Sequence, residues 1–254
     1  MQHPCKPCRT KKLSVQFYKG YFCSKQTINN KPLNPKTMKK RIYNLIILDE
    51  SGSMESIKHA AVNSINESLQ SIRHAQRKYE EQEHYVTFVT FNDEMKTLFE
   101  CAPIALVNDI SMRDYNPDCC TALYDAMGIS INRLHKKVTP EDNVLVTVIT
   151  DGYENSSREY RQRDIKSLVE RLKSEGWVFA YIGANQDVLQ VGESLAIRNT
   201  LSFEATSRGT EEMSRRMSSS RERLFSCMAC EEYSADAANE SFFDENDFEE
   251  KSKK

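Results

Sequence analysis

Three oxygen-bearing side chains follow the first strongly apolar run of the sequence at alternate positions. The run is Ile42–Leu48, and Asp49, Ser51 and Ser53 come directly after it. A carboxylate and two hydroxyls on a tight turn leaving a buried strand present hard oxygens in one direction, and oxygen ligands with few charges suit Mg²⁺. The alternative is an ordinary turn, in which Asp49 caps the following helix and the serines satisfy backbone groups.

Two further polar residues occupy comparable places in the sequence. Thr121 stands where a loop turns into a helix, and Asp151 follows the β-branched run Val144–Ile149 after one intervening residue, Thr150. In open α/β sheets, ligands collect outside the carboxyl ends of the strands, where the strand order reverses. We therefore expect Thr121 and Asp151 to lie close to Asp49 and the two serines.

The elements that must position these residues can be read from Arg41 onward, where apolar runs of strand type alternate with segments of helical spacing. This alternation indicates right-handed βαβ crossovers and a mostly parallel sheet wrapped by helices. The turn Asn92-Asp93-Glu94 predicts a hairpin that adds one antiparallel edge strand. Strands are predicted over residues 42–48, 84–91, 95–99, 144–149, 177–182 and 200–203, and helices over residues 57–72, 123–134, 165–172, 188–195 and 210–225.

Together these residues resemble the metal-ion-dependent adhesion site of the von Willebrand factor type A domains. The family pattern is Asp-x-Ser-x-Ser, then a Thr before a helix, then an Asp after the next strand, and all five positions are filled here in order. The resemblance covers about residues 41–225, and the contexts Thr-Ala-Leu-Tyr-Asp-Ala and Thr-Asp-Gly are similar to those of the bacterial, single-domain intracellular members. It implies a doubly wound α/β sheet of six strands, one of them an antiparallel edge strand, with helices on both faces.

The same resemblance implies a function. The hydroxyls of Ser51, Ser53 and Thr121 would face the metal, with Asp49 and Asp151 acting directly or through water. Mg²⁺ is the expected ion, with Mn²⁺ or Ca²⁺ as alternatives. Two carboxylates leave such an ion under-neutralised, so a Glu or Asp of a partner protein would complete its coordination. The expected function is therefore a non-enzymatic, metal-dependent protein interaction.

A Mg²⁺-dependent phosphohydrolase is the alternative function, because acidic residues at strand ends also support phosphoryl chemistry. Such an enzyme needs a nucleophilic Asp with a second acid close by, and a Lys or Arg to hold phosphate. Ser51 and Ser53 occupy the spacings where a second carboxylate would be expected, and no Lys stands in these loops. Serine hydrolase chemistry is disfavoured further, since Ser53 lacks the glycine pattern of a nucleophile elbow.

The residues before Thr121 depart from the family pattern. Small residues, often Gly, commonly precede that Thr, whereas this chain has Cys119 and Cys120. We expect two small apolar fillers at a helix N-terminus. The competing hypothesis is a redox-sensitive pair, because a thiolate beside a cation and a helix N-terminus has a lowered pKa.

The charge of the chain is concentrated at its ends, although the net charge is only −2. Residues 1–40 contain Lys and Arg but no Asp or Glu, and residues 226–254 form an acidic tail; we expect both segments to be disordered. The tail could dock on the metal site of another copy and so cause self-association. Nucleic-acid binding by the basic segment is not the favoured hypothesis, since a short basic tail without a folded module is usually nonspecific.

Cysteine content and hydropathy suggest where the protein works. Eight cysteines in a chain of 254 residues are consistent with free thiols in a reducing compartment, and no apolar run approaches the length of a membrane span. A cytoplasmic protein without membrane contact is expected. Zinc held by the two Cys-x-x-Cys pairs is not favoured, because more than two hundred residues separate them; the pairs are Cys5, Cys8, Cys227 and Cys230.

Overall fold

The fold is taken from a computed structural model, which describes residues 39–184, 187–230 and 233–243. The chain divides into two units, residues 1–36 and 37–254, and every described residue belongs to the second. Most of the predicted basic extension therefore lies outside the described residues. Within the described part of the chain, no helix is both long enough and apolar enough to cross a bilayer.

Six strands form one sheet, as the sequence predicted. The order across the sheet is β3-β2-β1-β4-β5-β6, with every neighbouring pair parallel except the antiparallel hairpin β2–β3 at one edge. The order reverses at β1, so β1 and β4 lie side by side although about a hundred residues separate them. The strands are β1 Lys40–Asp49, β2 Gln82–Phe91, β3 Met95–Pro103, β4 Asn143–Thr150, β5 Trp177–Ala184 and β6 Thr200–Phe203.

Helices cover both faces of the sheet, each through an apolar stripe that repeats at helical spacing. On one face, α1 and α5 pack against the sheet and each other; on the other face lie α2, α3 and α4. Because both faces are covered, the central strands are buried along nearly their whole length. The helices are α1 Lys58–Lys78, α2 Leu123–His135, α3 Gln162–Ser174, α4 Val188–Ser194, α5 Ser207–Ala229 and α6 Ala235–Ser241, and 3₁₀ turns occupy Gly52–Ile57 and Ile104–Leu106.

The folded part of the chain extends beyond the boundary that the sequence pattern placed at residue 225. Helix α5 continues to Ala229, and α6 packs against β5 with Phe242 buried at its end. Half of the expected acidic tail is thus ordered structure. Residues 231–232 and 244–254 lie outside the described residues.

Helix α6 occupies the part of the sheet edge that β6 does not reach. β6 pairs only with Tyr181–Ala184, so the start of β5 pairs with β4 on one side but has no neighbouring strand on the other. The side-chain amide of Asn239 takes the place of one, since it accepts a hydrogen bond from the Phe179 N–H at 3.1 Å and donates to the Trp177 carbonyl at 2.8 Å. Buried backbone groups require such partners, which explains why an acidic, weakly apolar segment folds back here.

We expect Asn239→Ala to lower the free energy of unfolding by about 2 kcal/mol, because the substitution leaves buried backbone groups of β5 without a partner. Urea denaturation followed by circular dichroism measures the change. Ser241→Ala, at an exposed site on the same helix, is the matched control and should stay within about 0.5 kcal/mol of the parent protein. Equal stability of the two variants would contradict the role assigned to Asn239.

Candidate metal centre

The carboxylate of Asp49 lies at the carboxyl end of β1 and is fully buried. Its Oδ1 accepts a hydrogen bond from the Ser51 N–H at 2.7 Å, and its Oδ2 accepts one from the Thr150 hydroxyl at 2.5 Å. Thr150 ends β4, the strand next to β1. Residues from two neighbouring strand ends therefore hold Asp49 in one orientation.

The two serines connect Asp49 to Asp151. The Ser51 and Ser53 hydroxyl oxygens are 3.2 Å apart, and the Ser53 hydroxyl donates to Asp151 Oδ1 at 2.5 Å. Ser51 and Asp151 are buried, whereas Ser53 is exposed. The site is thus open on the side of Ser53.

Gly152 shows how closely the oxygens of the three loops converge. A Cβ atom placed on Gly152 would lie 3.4 Å from Thr121 Oγ1, 3.7 Å from Ser53 Oγ and 3.9 Å from Asp49 Oδ2. Oxygens from the end of β1, from the loop after it and from the segment that precedes α2 therefore converge on the loop that follows β4. All five predicted residues fall within this cluster, because Ser51 and Asp151 both contact Ser53.

Backbone contacts tie the loop that precedes α2 to the loop that follows β1. The buried hydroxyl of Tyr115 donates to the Asp49 carbonyl at 2.6 Å. The Asp118 N–H donates to the Glu50 carbonyl at 2.9 Å, and the Glu50 carboxylate accepts from the Asn116 N–H. The loop carrying Asp49 is consequently fixed at several points along its length.

Two carboxylates near the site hold loops and are not free to bind a cation. Asp125, on α2, accepts the backbone N–H groups of residues 158–160 at 2.7–2.9 Å. In return, Glu154 from the loop after β4 accepts the Tyr124 N–H at 2.9 Å and the Ser157 hydroxyl at 2.6 Å. This exchange fixes Thr121 relative to Asp151.

Sequence reasoning missed Tyr115, Thr150 and Glu154 as supporting residues. Asp125 belongs to the Thr-Ala-Leu-Tyr-Asp-Ala segment, but the sequence alone does not indicate its role in holding residues 158–160. The position of Tyr115 in the sequence does not predict its contact with Asp49, which lies 66 residues earlier. Thr150 could have been found, since it ends the strand paired with β1 and stands next to Asp151.

Burial dominates the electrostatics of the two carboxylates. The pKa of Asp49 is raised to about 6, chiefly because the carboxylate is removed from water. Hydrogen bonds from Thr150 and Ser51 oppose this rise, and the nearby charge of Asp151 adds to it. Burial also raises the pKa of Asp151. Two carboxylates held in an environment that disfavours their charge are a natural place for a cation.

The fit to a divalent metal rests on hydroxyls as much as on carboxylates. Among the described residues, no group of three or more His, Cys, Asp or Glu could hold a metal, and the present cluster has only two such residues. Its remaining oxygens come from Ser51, Ser53 and Thr121. Hard, weakly charged oxygen donors of this kind match Mg²⁺ better than Zn²⁺, for which nitrogen and sulfur are the usual ligands.

The cysteines before Thr121 differ from both expectations. Cys119 and Cys120 are exposed rather than packed as fillers, and the backbone of Cys119 is left-handed (φ 64°), a conformation that favours Gly. A hydrogen bond with Asp93 raises the pKa of the Cys119 thiol in the metal-free domain, which is opposite to the direction that the redox hypothesis requires once a cation is bound. Cys227 and Cys230 are exposed free thiols, while Cys5 and Cys8 lie outside the described residues.

The sequence profile of the von Willebrand factor type A domain matches residues 45–216, about two thirds of the chain. The chain belongs to this family. A search of curated protein sequences found no significant match.

Two solved structures are similar to this chain in fold. Proximal thread matrix protein 1 from the mussel byssus is 15% identical with a TM-score of 0.52, and the match covers 70% of this chain and 45% of that one. The D319A mutant of the PilB minor pilin from Streptococcus sanguinis is 14% identical with a TM-score of 0.51, covering 76% and 64% respectively. This chain thus aligns with less than two thirds of either structure, and at such identities the likeness concerns the fold alone.

Replacing Asp49 by Asn should stabilise the metal-free domain. At pH 7 the ionised Asp49, whose pKa is raised from its unfolded value to about 6, opposes folding by up to about 3 kcal/mol. The Asn amide can donate to Thr150 Oγ1, while the Thr150 hydroxyl donates its own hydrogen bond to the Gly152 carbonyl 3.1 Å away. We expect Asp49→Asn to gain about 1–3 kcal/mol at pH 7 in EDTA. The gain should shrink towards pH 4.5, because the parent carboxylate becomes protonated there. Urea denaturation at both pH values measures it, and an equal effect at both would contradict this origin.

Tyr115→Phe removes only the hydroxyl that holds the Asp49 carbonyl. We expect a loss of about 1–2 kcal/mol in stability and a several-fold weaker Mg²⁺ affinity in isothermal titration calorimetry, since the loop carrying three ligands is loosened. The control is Tyr85→Phe. The Tyr85 hydroxyl donates to Glu83 near the amino end of β2, whereas the candidate metal centre lies at the carboxyl ends of the strands. Unchanged Mg²⁺ affinity in Tyr115→Phe would show that the hydroxyl contributes to folding alone.

Proposed function

We propose that this protein is a metal-dependent protein interaction module that binds Mg²⁺ at a complete metal-ion-dependent adhesion site. The observation that carries the proposal is the convergence of Thr121, Ser53 and Asp49 oxygens around the Cβ position of Gly152. Membership of the von Willebrand factor type A family supports it, because domains of this family commonly bind protein partners through a metal.

The proposed ion would be held by Asp49, Ser51, Ser53, Thr121 and Asp151. When bound, it supplies a Lewis-acidic position that takes a carboxylate oxygen of a Glu or Asp on a partner. The chain's own residues orient the donors: Thr150 and the Ser51 N–H align Asp49, and the exchange between Asp125 and Glu154 holds Thr121 beside Asp151. The open side at Ser53 is where a partner would approach.

We propose a non-enzymatic role because the site lacks what phosphoryl transfer needs. The segments that form it, residues 49–57, 91–95, 116–123 and 150–157, contain no Lys or Arg, so nothing in them would neutralise a substrate phosphate. A phosphatase assay with a generic ester tests this point, since turnover sensitive to Asp49→Ala would favour the enzyme. The cytoplasmic location and bacterial origin stay predictions from the sequence, as does self-association through the acidic tail.

Ser53→Ala should weaken Mg²⁺ binding at least tenfold, because it removes a proposed ligand that also bonds to Asp151. Ser56→Ala is the matched control: Ser56 lies on the same 3₁₀ turn, but it is exposed and its hydroxyl donates to the Ser53 carbonyl at 3.4 Å. Isothermal titration calorimetry with Mg²⁺ on the full chain measures both variants. Equal affinities would remove Ser53 from the site.

The partner role is tested by affinity capture from the lysate of the native host. Captured proteins that support the proposal are retained with Mg²⁺, released by EDTA, and lost with both Asp49→Ala and Ser53→Ala but not with Ser56→Ala. Proteins retained equally by all variants would contradict metal-dependent binding.

A further inference from the structure

The charged residues within the four segments that form the candidate metal centre are all acidic. The four segments that form it carry eight carboxylates and no Lys or Arg. The protein as a whole is nearly neutral, with 35 basic and 37 acidic residues, so this concentration is local. The acidic residues come from segments that are separate in the sequence but adjacent in the structure.

Backbone hydrogen bonds connect the four segments. The Gly52 N–H donates to the Cys119 carbonyl at 3.3 Å, and the Ala122 N–H donates to the Asn92 carbonyl at 2.8 Å. The Asn155 N–H donates to the Thr121 carbonyl at 3.0 Å. The segments therefore form one continuous surface around the metal ligands.

Half of the eight carboxylates are engaged inside this surface. Asp49 and Asp151 belong to the metal cluster, while Glu50 and Glu154 accept backbone N–H groups. The other four are exposed and define what we call the acidic rim: Glu55, Asp93, Glu94 and Asp118.

Contacts around the acidic rim leave its charge largely uncompensated. The rim carboxylates take part in no ion pair among the described residues, and the neighbouring Lys58 ammonium donates to the Asn116 side chain at 3.3 Å. Asp93 contacts the Cys119 thiol, and Asp118 accepts the Cys119 N–H at 2.8 Å. Both contacts involve neutral groups.

Tyr153 adds an aromatic ring to this surface. It follows Asp151 and Gly152 directly and is 59% exposed, one of only three large hydrophobic residues so exposed in the described chain. An exposed ring beside carboxylates is a favourable site for a guanidinium or ammonium group, which the ring attracts through its π face.

We propose that the partner presents a single carboxylate flanked by Lys or Arg. This inference rests on the proposed function and specifies its ligand. A bound Mg²⁺ attracts a carboxylate at contact, but the acidic rim repels further negative charge on the same ligand. Basic flanking residues reverse that repulsion, since they meet the rim carboxylates and the Tyr153 ring. Such complementarity acts mainly on specificity and on the rate of association.

The charge of the partner can be tested without knowing its identity. A phage-displayed library of random peptides is selected on the full chain in Mg²⁺ at low ionic strength, and the elution is by EDTA. We expect enrichment of peptides with one Glu or Asp flanked by Lys or Arg, and none on Asp49→Ala. If the peptides enriched in the presence of metal are uniformly acidic, or have uncharged residues beside the carboxylate, this inference is overturned but the proposed function is not. If no peptide is enriched in a metal-dependent way, the result counts against the proposed function itself.

Synthetic peptides then measure the contribution of the rim. Fluorescence anisotropy compares a central Glu flanked by Arg with the same Glu flanked by Ala. We expect the Arg-flanked peptide to bind more tightly, and to lose about threefold in affinity for each rim charge removed at low ionic strength. The variants are Glu55→Gln, Asp93→Asn, Glu94→Gln and Asp118→Asn, which keep the shape of each side chain.

Two controls separate the rim from general electrostatics and from the metal. Glu170→Gln removes an exposed carboxylate from α3 and should leave the preference for Arg flanks unchanged. Tyr153→Ala should weaken binding of the Arg-flanked peptide but not of the Ala-flanked one. If the four rim variants bind both peptides as the parent does, with Mg²⁺ affinity intact, the rim does not select the partner.

Discussion

The candidate metal centre depends on one carboxylate that the fold keeps out of water at the end of β1. A buried carboxylate is unfavourable unless donors or a cation compensate its charge. For Asp49 the protein supplies the Ser51 N–H and the Thr150 hydroxyl, and these lower its pKa less than burial raises it. The remaining imbalance is what a divalent cation would relieve. The topology is responsible for the burial, because the reversal of strand order places β1 and β4 together at the centre of the sheet.

Loops, rather than strands, must hold the other oxygens in place, and loops are ordinarily mobile. Here backbone groups and buried side chains secure them. The Tyr115 hydroxyl donates to the Asp49 carbonyl. Asp125 accepts backbone N–H groups from the segment that contains Glu154, and Glu154 accepts one from the segment that contains Asp125. If the proposed ion binds here, most of its ligands would be neutral hydroxyls, which have little charge with which to order themselves around it. Preorganisation by the surrounding hydrogen bonds would then compensate for the weakness of each single ligand.

The sequence predicted most of the fold and the five residues of the candidate site, for reasons of periodicity. Buried strands and amphipathic helices repeat their apolar residues with different periods, and a metal motif uses side chains close in sequence to strand ends. Features that depend on long-range side-chain contacts were not accessible. Asn239 acts as a neighbour for β5 only because β6 is short, and its segment looks like a solvated acidic tail. Cys119 is exposed and has a left-handed backbone, and no local sequence pattern predicts either feature.

Stability and binding are linked in such a site. Since the raised pKa values of Asp49 and Asp151 show that their charge opposes folding in the metal-free domain, an ion that binds only the folded state recovers that loss and adds stability through mass action. The acidic rim acts in the same direction, because it raises the local concentration of cations. In the proposed function, excess negative charge around the site would have two consequences: it would draw the ion in, and it would leave the ion's open position accessible chiefly to ligands that bring positive charge with their carboxylate. Affinity for the metal and selectivity for the partner would then arise from one distribution of charge.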